Sequence, residues 1–246
     1  MTTKHSALNQ FAAGVNASSS NAPLLFDDPT QVGWKVYYEG INEGIVRATS
    51  SAYWEVNANT SGTVGAGDEH SLVITGNGSA VSGYSFYRDL ADLELTSAGK
   101  KFYLETRVKF TIASGGTVPA NAWFVGWSTK NEAFTTGTAT AWDGGDELLG
   151  FGHLTSATAV SFVSRQDAVN QAISTGGDLT SGTYAKFACY YDGAKFHLYK
   201  DDAFISSTAK TKLNADEPMV FQVMFEAVEA KANTFDIQYA LLAVEL

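Results

Sequence analysis

Between Lys101 and Ile112 the chain alternates apolar and polar side chains almost without a break. Phe102, Leu104, Val108, Phe110 and Ile112 fall on one parity, and Tyr103, Glu105, Arg107 and Lys109 on the other. A period of two is that of a strand with one dry and one wet face, because successive side chains leave opposite sides of the backbone. The pattern returns near the C-terminal end. There Met219, Phe221, Val223, Phe225 and Ala227 alternate against Gln222 and Glu226, and Phe235, Ile237, Tyr239 and Leu241 against Asp236 and Gln238. Long antiparallel strands at both ends of one region predict two sheets packed face to face. The lack of βαβ spacing argues against a parallel-sheet enzyme.

Shorter strands are predicted at 34–38, 45–48, 53–56, 71–75 and 84–87, with a turn or short helix over 89–97 leading into the alternating strand. Further strands are expected at 122–128, 147–153, 159–164 and 186–191, and a short helix around 167–173. Asp192-Gly193 separates Phe187–Tyr190 from Phe196–Tyr199, and this dipeptide tolerates the positive φ of a tight hairpin turn. A second reversal is expected at Lys200–Ala203. The domain reading is an extended N-terminal arm over 1–33 and one β-sandwich over 34–246, with 34–99 either part of it or a partly separate subdomain. In the arm, small polar residues dominate and Phe11, Leu24, Leu25 and Phe26 are the anchors.

The chain has 246 residues, enough to bury a sizeable core without metals or cross-links. Its formal charge of -10 and lack of any basic run argue against nucleic acid as a partner. No stretch has the length and apolarity of a membrane span or the pattern of a signal peptide, so no membrane partner is expected. Cys189 stands alone inside an apolar strand, which reads as a buried small hydrophobe and fits assembly in a reducing cytoplasm.

The signatures of catalysis are missing. There is no Gly-x-Ser-x-Gly elbow, no phosphate-cradling glycine loop before a lysine and no Cys-x-x-Cys. His5, His70, His153 and His197 lack metal-ligand spacing, and the two on strands are read as hydrogen-bonded structural residues. The acidic run Asp143-Gly144-Gly145-Asp146-Glu147 reads as a solvated loop. Asp143, Asp146 and Glu147 carry only a weak calcium signal, because hard cations want several oxygens at a spacing this run does not supply. No catalytic residue, cofactor or metal site is therefore assigned.

Three elements carry a resemblance: Phe102–Lys109 followed by Phe124-Val125-Gly126-Trp127, the hairpin Tyr190-Tyr191-Asp192-Gly193 with Phe196–Asp201, and the closing Phe235-Asp236-Ile237-Gln238-Tyr239. Over about 100–246 the chain resembles the concanavalin A-like, or laminin G-like, jelly rolls found among structural proteins of tailed bacteriophage capsids. The resemblance implies an all-β fold, an antiparallel two-sheet jelly-roll β-sandwich with the extended N-terminal arm. It also implies a non-enzymatic decoration or cement protein on the outer surface of the virion, assembled in the host cytoplasm. The implied partners are the major capsid protein and further copies of the chain, a trimer being favoured, with Phe11, Leu24, Leu25 and Phe26 as the capsid-binding arm. Retaining glycanases of the same superfamily carry Glu-x-Asp-x-x-Glu on one strand, and that sequence is absent here.

The alternative function is a carbohydrate-binding module or adhesin on the virion surface, meeting host surface glycans. Trp142 and Tyr199 are its candidate aromatics, able to stack on sugar rings or anchor an interface if exposed. Glu105, Arg107 and Lys109 are expected to form a solvated or inter-subunit charge stripe.

Overall fold

The structure, a computed structural model, describes residues 34–40, 54–60, 62–67, 71–78, 82–88, 100–114, 121–129, 141–142, 147–155, 157–213 and 218–245. The arm residues Phe11, Leu24, Leu25 and Phe26 lie outside the described residues, as do Asp143, Asp146, His5, His70 and the expected elements at 45–48 and 89–97.

Fifteen strands are described: β1 (Trp34–Gly40), β2 (Trp54–Thr60), β3 (Thr63–Ala66), β4 (Leu72–Thr75), β5 (Ser82–Arg88), β6 (Phe102–Thr111), β7 (Asn121–Ser128), β8 (Leu148–His153), β9 (Ser161–Gln166), β10 (Val169–Ser174), β11 (Tyr184–Tyr191), β12 (Lys195–Lys200), β13 (Ala203–Ala209), β14 (Val220–Ala227) and β15 (Thr234–Glu245). They form two sheets with every pairing antiparallel. Sheet I runs β13-β12-β11-β6-β15-β4-β3, with β1 also on β15, and sheet II runs β10-β9-β8-β7-β14-β5-β2. The strands drawn from 34–99 are divided between them: β1, β3 and β4 enter sheet I, β2 and β5 enter sheet II.

The period-two pattern places the core. Phe102, Leu104, Val108 and Phe110 of β6 and Phe187, Cys189 and Tyr191 of β11 face Trp123, Val125 and Trp127 of β7 and Phe221, Val223 and Phe225 of β14 across the sandwich. Trp123 stacks on Phe235 of the opposite sheet, ring centroids 4.9 Å apart and planes 26° apart. Cys189 is fully buried here, and burial pushes its thiol well up from the usual range.

One expectation is corrected. Residues 167–173 form no helix: β9 turns into β10 through Asp167 and Ala168, both with positive φ (51° and 61°), a tight turn of the primed kind. The reversal expected at 200–203 has the same form, with Asp201 and Asp202 at φ 49° and 68°. In the Asp192-Gly193 hairpin only Gly193 turns positive, at 98°. That loop has three residues, closed by the Asp192 carboxylate, whose Oδ1 accepts from the N–H groups of Ala194 (2.8 Å) and Lys195 (2.7 Å). Its other oxygen lies 2.8 Å from His197 Nε2, and His197 stacks on Tyr190. His153 at the end of β8 is likewise hydrogen-bonded within the fold, to the carbonyls of Asn121 and Ala157.

Candidate functional site

The outer faces of the two sheets differ. On sheet II, Ala122, Phe124, Leu148, Val163 and Met224 form a second apolar cluster together with Trp142. The Trp142 ring lies so close to β8 that a Cβ on Gly152 would fall 2.5 Å from its Cη2 atom, and a Cβ on Gly150 would fall 2.7 Å from the Phe124 ring. Arg165 Nη1 and Asn170 Nδ2 donate to the Trp142 carbonyl at 2.6 and 3.3 Å. Trp142 is 6% exposed, pressed onto the sheet rather than offered to solvent.

Tyr199 is 0% exposed, with Phe204 edge-on to its ring at 5.6 Å. The expectation that Trp142 and Tyr199 could stack on a sugar is therefore corrected: both spend their ring faces on internal packing. Glu147, the described member of the acidic run, is buried, and its Oε1 accepts from the Asp167 N–H at 3.1 Å. It braces the β9–β10 turn.

Sheet I carries an open recess of about 350 Å³, lined by Glu105, Arg107, Tyr184, Lys186, Asp201, Asp202 and Tyr239. Strand register explains the grouping. Arg107 of β6 lies directly between Lys186 of β11 and Tyr239 of β15, and Glu105 sits one pleat along on the same face. The β12–β13 turn then folds back on β11. Asp201 exchanges two hydrogen bonds with the Lys186 backbone, through its N–H at 2.8 Å and its Oδ1 at 2.9 Å. That contact sets Asp202 Oδ1 2.5 Å from Lys186 Nζ.

Glu105 does not belong to a solvated stripe. It is 5% exposed, and its two oxygens accept from Tyr103 Oη (2.5 Å) and Tyr239 Oη (2.6 Å). Burial pushes its carboxyl up from the ordinary value, and the two phenols and the Lys186 charge offset only part of that rise. Because Tyr239 spends its proton on Glu105, its oxygen faces the recess as an acceptor. Arg107 donates to Gln238 Oε1. Tyr184 takes cations on its ring, with the Arg107 guanidinium carbon 4.8 Å and Lys109 Nζ 4.6 Å from the centroid. Its own hydroxyl oxygen is buried with no hydrogen-bond partner among the described residues.

Sequence reasoning named Asp201 and Asp202 as turn residues and Glu105 and Arg107 as surface charge. It missed Tyr184, Lys186 and Tyr239, whose convergence depends on pairing β6 with strands about 80 and 130 residues downstream, separations that local periodicity does not encode.

No protein-family model matches the chain, and no curated protein matches it. Solved structures do. An endo-1,3-β-glucanase from Streptomyces sioyaensis superposes with a TM-score of 0.57 at 11% identity, covering 87% of this chain and 97% of that one. Peanut lectin gives 0.56 at 11% identity over 86% and 97%. A β-glucanase from Bacillus licheniformis gives 0.52 at 12% identity over 86% and 99%. At such identities the likeness shows the fold alone: an all-β, concanavalin A-like jelly-roll sandwich shared by lectins and glucanases.

Proposed function

We propose that this domain is a carbohydrate-binding module and that the recess on sheet I receives the sugar. The observation that carries the reading is its lining: seven side chains, every one with a hydrogen-bonding group and none of them aliphatic. Small-molecule pockets are usually apolar with a few placed polar atoms. A lining of carboxylates, an ammonium, a guanidinium and phenols instead suits a ligand bearing many hydroxyls, each of which must exchange its water hydrogen bonds for new ones. The fold shared with lectins and glucanases supports the same direction without selecting the ligand.

Binding without turnover is the favoured form. Glycosidic cleavage needs two carboxyl groups free to reach the scissile bond. Here the Glu105 oxygens are each engaged by a tyrosine, and Asp202 is engaged by Lys186.

Glycan-array screening followed by calorimetry on the best ligand tests this. Lys186→Ala and Asp202→Gly, the latter chosen because glycine accepts the positive φ at 202, are each expected to weaken affinity about 10-fold or more while leaving the fold intact. Unchanged affinity in both would remove the recess from consideration. Release of reducing sugar that disappears in Glu105→Gln would replace binding by hydrolysis.

Capsid decoration is the second reading. It rests on the sequence resemblance, whose elements lie on the sheet I strands β6, β11, β12 and β15 and, for Phe124–Trp127, on β7 of sheet II. Cofractionation with capsids at stoichiometric copy number is the test that would support it, and the two readings are compatible in an adhesin carried on a virion.

A further inference from the structure

The open edge of a sheet offers unpaired N–H and C=O groups to any strand that can lie beside it, and folded proteins blunt such edges with bulges, charges, prolines or short strands. Three of the terminal strands here are blunted. β13 carries a register shift opposite Leu198 and Tyr199. β2 has one between Asn57 and Thr60 and bears Glu55. β3 has only four residues.

β10 has none of these devices. Its six residues, Val-Asn-Gln-Ala-Ile-Ser, include no charge and no proline. They pair with β9 in unbroken register and, among the described residues, close the β10 end of sheet II. Val169, Asn170, Ala172 and Ser174 are exposed, Val169 at 49%.

We propose that β10 is a homodimerisation edge, on which two copies of the chain pair β10 antiparallel about a two-fold axis and join their second sheets into one. The strand fits itself. With the axis through Gln171, Val169 stands opposite the second copy's Ile173 on the face where Ile173 packs against the core, and Asn170 stands opposite Ala172 on the other face. Just beyond the strand, Asp167 meets Thr175 rather than another acid. For a chain of net charge -10, mutual repulsion opposes most approaches, and an uncharged strand is where two copies meet at least cost. The inference does not rest on the sugar-binding reading, because the recess lies on the other sheet.

Light scattering and native mass spectrometry of the full chain read the outcome. The wild type is expected as a dimer. Ala172→Lys, which adds the lysine that natural edges use, is expected to weaken dimerisation about 100-fold or more with an unchanged melting temperature, while Ala172→Ser stays dimeric. Hydrogen exchange should show β10 amides protected in the dimer and open in the lysine variant. A monomeric wild type overturns the proposal, including one whose β10 amides are protected by some other segment. So does any oligomer, dimer or trimer, that survives Ala172→Lys in folded form.

Discussion

His153 sits at the end of β8 with an acceptor at each ring nitrogen: Nδ1 lies 3.0 Å from the Asn121 carbonyl oxygen, and Nε2 lies 3.2 Å from that of Ala157 and 3.3 Å from Asp178 Oδ2. A neutral imidazole donates from one nitrogen only, so the geometry is satisfied in full by the imidazolium. Burial alone would lower the pKa, but the hydrogen bond and charge of Asp178, with the two carbonyls, outweigh it and raise the group above its ordinary 6.5. Since the folded pKa exceeds the unfolded one, the stabilisation is fully present below about pH 6.5 and is lost as pH rises through the folded value. Melting temperature is accordingly expected to decline as pH is raised from 6 through the alkaline side of neutrality. In His153→Gln that decline should flatten, with a loss of about 1–3 kcal/mol at pH 6 from the orphaned acceptors. Equal pH slopes in the two proteins would contradict the imidazolium assignment.

The β9–β10 hairpin puts Ala168 at φ 61°, exposed and in the left-handed region where a Cβ costs about 1–2 kcal/mol. Ala168→Gly relieves that strain but loosens the unfolded chain, so a net gain of about 0.5–1 kcal/mol is expected in urea denaturation. A loss would mean that the turn is not strained. This turn also explains why the element was misread as a helix: Asp-Ala is not among the dipeptides that announce a primed turn, and with no glycine between them β9 and β10 run together. β13 escaped notice for a related reason, since the register shift beside Tyr199 interrupts the alternation of Ala-Phe-Ile-Ser-Ser-Thr-Ala. By contrast β6 and β14 were legible because one parity of each is the apolar set that packs in the core. β15 was legible only as far as Ile237: the register shift between Ile237 and Tyr239 reverses its parity, so Ala240, Leu242 and Val244 continue the core face while Tyr239, expected on the face of Phe235 and Ile237, turns out into the recess. The recess was the least legible. Glu105 has the spacing of a surface residue, and only the long-range approach of Tyr239, together with neighbouring Tyr103, makes it a buried one.

Across the whole molecule the two sheets are tied at one end by Asn233, which is fully buried in the connection between β14 and β15. Its Oδ1 accepts from the Ala113 N–H at 2.7 Å, just past β6, and its carbonyl accepts from the Gly76 N–H at 2.9 Å, just past β4, so both contacts reach sheet I. Its Nδ2 donates to Asn121 Oδ1 at 3.0 Å, at the start of β7 in sheet II, and to Glu229 Oε1 at 2.7 Å. The aromatic core supplies most of the contact between the sheets but is not directional, so polar ties of this kind fix how one sheet lies on the other. Asn233→Ala leaves the Ala113 amide and the Asn121 side-chain oxygen without that partner in a site closed to water. The expected loss is about 2–4 kcal/mol in urea denaturation with an unchanged slope. Asn233→Asp separates the two halves of the role. It keeps the acceptor for Ala113, removes the donor toward Asn121 and sets a second carboxylate beside Glu229, so its loss should be large near neutrality and shrink in acid, where a protonated carboxyl again donates. If alanine costs under about 1 kcal/mol, or aspartate behaves identically at both pH values, the sheets are held in register by core packing alone.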